Sequence, residues 1–228
     1  MVSSVAYPSA LGVPCFLEND VRTAALGVQR YDAGAAIQHL AYVSIGTGIA
    51  AGLILQGRLY TGAHGMAGEI GHMIVEPNGR RCACGARGCL ETVAAGPAIA
   101  RLGQEAVATG RETSLRHSQP LTAESVYRAA AAGDAVALEI TERVGRHLGQ
   151  ALQGLVMTYD VERVILGGGV SHAGEVFLHP ILRELESQRQ ASALAREMLA
   201  ADMLCLLPPD YEAGLWGAIA LAERGLRH

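Results

Sequence analysis

The stretch at residues 62–92, GAHGMAGEIGHMIVEPNGRRCACGARGCLET, carries the pattern that decides the fold. It contains four metal-ligand side chains within eighteen residues, in the spacing H-x9-C-x-C-x4-C: His72, Cys82, Cys84 and Cys89. One imidazole and three thiolates make up a ligand set found in closed structural zinc centres. The glycines between the cysteines permit the tight turns that such a knuckle needs. The pattern predicts a tetrahedral zinc site; the alternative is three ordinary reduced cysteines beside a core histidine.

The composition is typical of a globular enzyme-like domain. The chain has 228 residues, half of them hydrophobic, so it can bury a full core as one large domain or as one domain with a fragment of another. The formal net charge is -4 and no basic run occurs, which argues against a stand-alone nucleic-acid-binding protein. Neither a signal peptide nor an apolar run of about 18 residues is evident, which predicts a cytoplasmic protein with no membrane contact.

Two further cysteines lie outside the metal-ligand pattern. Cys15 and Cys205 each occupy an apolar run, VPCFL and MLCLL. A disulfide between them is one option. Two buried free thiols are favoured in a reducing compartment.

The chain alternates between strand and helix patterns, which predicts an α/β fold. Strands are predicted at 13–17, 40–46, 49–55, 162–169 and 203–207, with helices at 20–30 and 213–224 and a mainly helical region from residue 97. The second and third strands are separated by a short glycine-bearing turn, which predicts antiparallel neighbours. Within the helical region, an apolar stripe recurs every four residues and predicts a buried helix face: Val136, Ile140, Val144, Leu148, Leu152 and Val156.

Three junctions rich in glycine follow or precede these elements. They are Gly46-Thr47-Gly48, Gly167-Gly168-Gly169 and the helix start at 213–217. A backbone without Cβ can approach a phosphate closely and direct its N–H groups at it. Each junction is equally typical of a plain tight turn. Neither a Rossmann glycine pattern after the first strand nor a P-loop is present.

Acidic and amide side chains near these elements indicate a sugar site. They are Asn19, Asp20, Glu69 and Glu91. Carboxylates and amides hold vicinal hydroxyls well, and a positioned aspartate can take the proton of a hydroxyl that attacks phosphorus. The alternative is that Asp20 only caps a helix and that both glutamates are solvated surface residues.

Taken together, these motifs resemble the ROK family of bacterial sugar kinases and sugar-responsive repressors. The resemblance rests on 62–72 and 82–92, and on LEND (17–20), IGTG (45–48), VILGGGV (164–170) and EAGLWGA (212–218), in the family's order from about Leu11 onward. It implies an actin-like ATPase (ribonuclease H-like) fold, in which sugar and ATP bind in a cleft between a small and a large lobe. Here it implies the large lobe with a zinc-stapled loop.

The resemblance also implies roles for individual residues. Asp20 would be the catalytic base, while Asn19, Glu69, His72 and Glu91 would hold sugar hydroxyls. His72 would contact zinc through one ring nitrogen and sugar through the other. The nucleotide, ATP with Mg²⁺, would lie against two glycine segments, its phosphates at Gly46, Thr47 and Gly48 and its adenosine at Gly167, Gly168 and Gly169.

Two departures from the family pattern stand out. The family's first phosphate loop, Asp-x-Gly-Gly-Thr, would lie roughly a hundred residues before Asn19, whereas the chain starts eighteen residues before it. The small lobe is therefore expected to be mostly missing, with 1–18 its remnant, 19–210 the large lobe including the zinc knuckle at 72–89, and 211–228 a C-terminal helix. Such a chain is expected to be a poor kinase. In addition, AAG at 50–52 replaces consecutive glycines, and the added methyls either crowd the phosphates or are harmless.

The predicted activity is ATP-dependent phosphorylation of a hexose, with glucose and its 6-hydroxyl favoured. The alternative is the sugar-sensing domain of a repressor. The intact Glu-Asn-Asp favours the kinase, because a sensor can lose the base. A zinc-stapled scaffold without ligand is disfavoured because it leaves the acidic residues unexplained. The family favours homodimers or homotetramers, and the sequence does not choose among glucose, mannose and N-acetylated amino sugars.

Overall fold

The computed structural model describes residues 12–31 and 36–226, and in this part of the chain one five-stranded sheet is flanked by helices. The strands are β1 (Leu40–Ile45), β2 (Ile49–Leu55), β3 (Arg58–Tyr60), β4 (Arg163–Gly167) and β5 (Leu204–Leu206). The helices are α1 (Asp20–Tyr31), α2 (Glu91–Ala94), α3 (Gly96–Ala108), α4 (Ala123–Ala131), α5 (Ala135–Tyr159), α6 (Glu175–Ala191), α7 (Ala193–Met198) and α8 (Ala213–Gly225). The α/β prediction is confirmed.

The sheet is mixed, with the strand order β3-β2-β1-β4-β5. β1 pairs antiparallel with β2 through the Gly46–Gly48 turn, and it pairs parallel with β4 on its other side. The antiparallel pair predicted from the sequence is thus confirmed. The short edge strand β3 was not predicted, because its three residues are too few to show an alternating pattern.

Side chains of β1 alternate between the two faces of the sheet, as a strand with a period of two requires. Ala41, Val43 and Ile45 join the larger core with α3 to α7. Leu40 and Tyr42 join a smaller core with α1 and α8. The sheet therefore lies between two helical layers, and the first turn of α1 packs against Gly52 of β2.

The apolar stripe on α5 is core, as predicted. All six of its residues are buried. Asp134 caps the helix by accepting hydrogen bonds from the N–H groups of Val136 and Ala137, both at 3.0 Å. The helix ends at Asp160, whose φ of 48° is left-handed.

The predicted strand at 13–17 is wrong. Residues 14–19 have no regular secondary structure, and Val13 and Leu17 are 55% and 60% exposed. Pro14 has no N–H to donate to a ladder, and none of the described strands pairs with this segment. Cys15 and Cys205 are not joined in a disulfide, and both are half-buried rather than buried. Cys205 lies in β5 as predicted.

The predicted division into a remnant, a lobe and a terminal helix is only partly covered by the structure. Residues 1–11 of the 1–18 remnant and residues 227–228 lie outside the described ranges. The terminal helix itself is present as α8. Among the described helices, none is sufficiently long and apolar to cross a membrane.

Candidate functional site

The four predicted metal ligands converge. One donor atom from each of His72, Cys82, Cys84 and Cys89 lies within 4.8 Å of all the others. Cys82 Sγ is 3.7 Å from His72 Nδ1, and Cys84 Sγ is 3.6 Å from Cys89 Sγ. A tetrahedral zinc ion with bonds of about 2.3 Å to sulfur would hold its ligands about 3.8 Å apart. The donor set and its spacing therefore fit the predicted ion.

A hairpin-like excursion of the chain brings these ligands together. Gly88 accepts hydrogen bonds from the N–H groups of Val75 and Glu76 at 2.8 and 3.1 Å. Isolated bridges pair Ile74 with Cys89 and Arg81 with Arg87. A side chain at Gly88 would lie 1.6 Å from the Glu76 carbonyl oxygen, and its φ is +76°. Only glycine lets the two arms of this knuckle approach so closely.

The three thiols have different electrostatic surroundings. Cys82 donates a hydrogen bond of 2.9 Å to Glu91 Oε1, and this bond raises the pKa of the thiol to about 12. Burial raises the pKa of Cys89. The pKa of Cys84 is lowered, chiefly by the backbone N–H of Ala86. Because metal ligands must be thiolates, a bound cation would have to supply the charge that ionises Cys82 and Cys89.

Two carboxylates flank the His72 ring on different sides. Glu91 Oε1 is 3.7 Å from Nδ1, the nitrogen that also faces Cys82. Glu69 Oε2 is 3.9 Å from Nε2. The Glu91 side chain is only 22% exposed, so it is not a solvated surface residue, whereas that of Glu69 is 52% exposed. Nδ1 thus faces Cys82 and Glu91, while Nε2 faces Glu69.

Glu91 also links the ligand cluster to the first glycine turn. A Cβ built on Gly48 would lie 3.4 Å from Glu91 Oε2. The turn itself is closed by a hydrogen bond of 3.0 Å from Gly46 N–H to the Gly48 carbonyl. The Gly46 carbonyl in turn accepts from Gly96 N–H at 2.8 Å, which fixes the start of α3 against the turn.

Asn19 and Asp20 lie exposed at the start of α1. Asn19 Oδ1 accepts from the N–H groups of Val21 and Arg22 at 3.0 and 3.1 Å, so Asn19 caps the helix. Asp20 Oδ1 accepts from the neighbouring Val21 N–H at 2.8 Å. Asn19 rather than Asp20 therefore makes the capping hydrogen bonds of α1, and the role of Asp20 stays a prediction.

Asp20 and Glu69 belong to segments that contact neighbouring residues of β2. The Val21 carbonyl lies against Gly52, where a Cβ would be 2.8 Å from it. Ala51 N–H donates to the Gly68 carbonyl at 2.7 Å. The Ala51 methyl belongs to the larger core, so this methyl of the AAG segment does not crowd a phosphate.

Five of the six predicted nucleotide-binding residues line one of two cavities, and Gly48 lines neither of them. Gly46, Thr47 and Gly169 line a cavity of about 1010 Å³. Gly167 and Gly168 line a separate cavity of about 130 Å³ and pack closely on β1. A Cβ on either would approach Tyr42 or the Ile45 carbonyl to 2.5 Å, so these two glycines are required by packing.

Several residues that line the large cavity were missed by the sequence analysis. They come from α3, α4 and the turn after β4, and they include Pro97, Thr122, Glu124, Arg128 and His172. No local motif marks them, because their elements meet only when the sheet is covered. The third junction, at 213–217, serves a different purpose: Gly217 packs against the Thr23 carbonyl of α1.

Comparison with known proteins now decides the family. The family model described as ROK family matches residues 6–224. The chain belongs to the ROK family. It is 39% identical over 181 residues to the glucokinase of Halalkalibacterium halodurans, covering 77% of this chain and 54% of that protein. It is 36% identical over 217 residues to the DNA-binding transcriptional dual regulator NagC of Escherichia coli, covering 94% of this chain and 51% of that protein.

Solved structures of ROK proteins share the fold. A ROK family transcriptional regulator, a homologue of the E. coli MLC protein, superposes with a TM-score of 0.82 at 30% identity over 96% of this chain and 54% of that one. A ROK family glucokinase from Streptomyces griseus, in complex with glucose and AMPPNP, gives 0.79 at 32% identity, over 96% of this chain and 71% of that one. The actin-like ATPase fold implied by the resemblance is confirmed. The chain spans about half the length of the curated relatives named above.

Proposed function

We propose that the chain is the sugar-binding and nucleotide-binding lobe of an ATP-dependent hexose kinase, with glucose phosphorylated at its 6-hydroxyl. The observation that carries the proposal is the position of Glu91. This carboxylate contacts the His72–Cys82 side of the ligand cluster. Its Oε2 lies 3.4 Å from where a Cβ on Gly48 would be, and Gly46 and Thr47 of the same turn line the large cavity. The carboxylate proposed to hold sugar hydroxyls therefore lies near the cavity proposed for the nucleotide.

Asp20 is the proposed base. It accepts the proton of the sugar hydroxyl as the hydroxyl oxygen bonds to the γ-phosphorus of ATP, and the bond from that phosphorus to the bridging oxygen of ADP breaks. An exposed carboxylate that is not the helix cap suits this role. Asn19, Glu69, His72 and Glu91 are proposed to bind the remaining hydroxyls, with Asn19 offering its amide N–H groups because its oxygen caps α1.

The large cavity is the proposed nucleotide site. Its volume of about 1010 Å³ is at the upper end of the range for small-molecule pockets, about 300–1,000 Å³. Gly46, Thr47 and Gly169 lie on its wall, and no atom outside the adjacent chain lies within 4 Å of a Cβ built on Gly46 or Gly169. A phosphate group can therefore approach the backbone there. Magnesium ions would neutralise the phosphate charge when bound with ATP.

The zinc site is proposed to be structural. His72, Cys82, Cys84 and Cys89 would complete the coordination shell, which leaves no position open for substrate. The ion would fix the loop that carries Glu69 and Glu91, and so the sugar-binding carboxylates. Assembly into dimers or tetramers, the lobe boundaries at residues 18 and 210, and a cytoplasmic location stay predictions.

A sugar-sensing domain of a repressor is the second candidate. Two observations favour it: the similarity to NagC, and the TM-score of 0.82 with the regulator. Both candidates require hexose binding, and they differ in whether Asp20 performs chemistry.

The proposal is tested by titrating this chain with hexoses and nucleotides in a calorimeter and by assaying ADP release from ATP. In full-length protein that includes this chain, Asp20→Asn is expected to abolish turnover and to leave hexose affinity within about twofold, because the carboxamide keeps the shape of the side chain but cannot accept the proton. Asp202→Asn, an exposed aspartate before β5, is the matched control.

The outcomes separate the candidates. Hexose binding with turnover that depends on Asp20 supports the kinase. Hexose binding without turnover in the full-length protein supports the sensor, and turnover retained by Asp20→Asn overturns the role of Asp20. A chain that gives no heat with any hexose at millimolar concentration binds no sugar and matches the scaffold.

A further inference from the structure

A partly buried ion pair joins Glu18 and Arg22, which flank Asn19 and the proposed base Asp20 in the sequence. The side chains of Glu18 and Arg22 are 7% and 15% exposed, and Glu18 Oε1 is 2.7 Å from both Nε and one terminal nitrogen of Arg22. The same oxygen accepts the Asn19 N–H at 2.8 Å. Glu18 therefore fixes the backbone of the residue before Asp20.

The free end of the guanidinium reaches a distant loop. Arg22 Nη1 donates a hydrogen bond to the carbonyl of Gly65, forty-three residues along the chain. Gly65 lies in the loop that leads from β3 to Glu69. The structure holds this loop at two further points, where Ala67 N–H donates to Thr61 and Ala51 N–H donates to Gly68. Arg22 is thus a contact between this loop and α1.

We propose that Arg22 is a positioning residue that fixes the 61–69 loop relative to Asn19 and Asp20 and thereby sets sugar affinity. This inference rests on the proposed function, because it concerns the same sugar site. A planar guanidinium has enough donors in fixed directions to bind Glu18 on one edge and a carbonyl on the other. The helix cap does not need it, since Asn19 supplies the cap.

The position of the pair argues against a role in surface solubility. An exposed ion pair contributes little, while a buried one must offset the loss of hydration of both charges. Both partners here are largely shielded from solvent, and Glu18 Oε1 accepts from the backbone N–H of Asn19 as well as from Arg22. The contacts of Arg22 join the start of α1 to the 61–69 loop, and the proposed sugar site needs both segments.

Hydrogen–deuterium exchange of this chain tests the loop contact without any ligand. Arg22→Met is expected to speed exchange of the 61–69 amides by about tenfold, the equivalent of one charge-assisted hydrogen bond, and to leave α5 amides unchanged. Arg30→Met is the matched control, because Arg30 lies on the same helix with a side chain 55% exposed and an ion pair to Glu223.

Calorimetry then tests the effect on the site. Arg22→Met is expected to weaken hexose binding by about tenfold and to leave ATP affinity unchanged, since the large cavity does not include α1 or the loop. Arg22→Lys should fall between wild type and Met, because an ammonium group can keep the Glu18 charge pair but lacks the fork. In the double variant Glu18→Gln/Arg22→Met, the Glu18 charge that Arg22→Met leaves unpaired is also removed. This variant therefore separates loss of the loop contact from unfolding of the protein.

Equal exchange of the 61–69 amides in Arg22→Met and Arg30→Met would overturn the proposal. Faster exchange with unchanged hexose affinity would also overturn it, because the contact would then be structural only. A uniform loss of affinity for hexose and ATP would indicate general destabilisation and count against it. If the wild-type chain binds no hexose, the proposed function fails, and the exchange result alone decides whether Arg22 holds the loop.

Discussion

Replacing Gly217 by alanine tests the contact that places the start of α1. A Cβ at Gly217 would lie 1.8 Å from the Thr23 carbonyl oxygen and 2.5 Å from its carbon. Both atoms are backbone, so no side chain can rotate away. Gly27 forms the reciprocal contact, since a Cβ there would be 2.6 Å from Gly217 N. The two helices therefore cross with almost no space between them.

The magnitude follows from two opposing effects. Ordinary contact begins at 3.4 Å and the Cβ would lie at 1.8 Å, so α8 must move away from α1 by about 1.6 Å. Overpacking of this kind costs about 3 kcal/mol, at the upper end of its usual range because backbone atoms collide. Replacing glycine by alanine in a helix interior stabilises the helix by about 1 kcal/mol. The net expectation is a loss of about 2 kcal/mol in the free energy of unfolding, or roughly 4–8 °C in Tm for a chain of this size.

The matched control is Gly214→Ala, on the same helix, where a Cβ would meet nothing within 4 Å. This change is expected to be neutral or to stabilise the protein by up to about 1 kcal/mol. Urea and thermal unfolding of both variants provide the comparison. If Gly217→Ala were as stable as Gly214→Ala, the close α1–α8 crossing would be refuted, together with the rigid placement of Asn19 and Asp20 that depends on it.

Two other predictions concern the metal cluster and the start of α5. Dialysis against a chelator, or the Cys89→Ser substitution, should remove one zinc per chain, measured by elemental analysis, and lower both Tm and hexose affinity. The control Cys205→Ser should retain the metal. Hexose affinity that survives complete metal loss would disprove the coupling between the zinc site and sugar binding. Asp134→Ala should cost about 3 kcal/mol in urea unfolding at pH 7, because the carboxylate accepts bonds from the α5 start, from Thr113 and from Ser114. Burial opposes ionisation of Asp134, but the hydrogen bonds from Ala137, Ser114 and Thr113 outweigh it and hold the pKa below its usual range. The stabilisation by the ionised Asp134 carboxylate is therefore present above about pH 4 and is lost as the pH falls further. A difference in the free energy of unfolding between wild type and Asp134→Ala that persisted unchanged at pH 3 would contradict this role of the carboxylate.

The sequence by itself determined the parts of the molecule that depend on local contacts. The four metal ligands lie within eighteen residues, and their glycines close the knuckle through hydrogen bonds among residues 75–88, so spacing alone predicted their convergence. The α5 stripe follows from a periodicity set by helix geometry, and the β1–β2 hairpin follows from two apolar runs joined by a short glycine-bearing turn. The order of the motifs was sufficient to indicate the family.

Only the tertiary structure decided which glycines have open space and which are packed. Gly46 and Gly169 lie on the large cavity, while Gly167 and Gly168 contact β1, although all four lie at or just after the end of a strand. The structure likewise gave the helix cap to Asn19 and left 13–17 without a strand partner. The physical reason is common to these cases. Whether a turn meets solvent, a cavity or another backbone depends on elements that are far away in the sequence, and a local pattern carries no information about their positions.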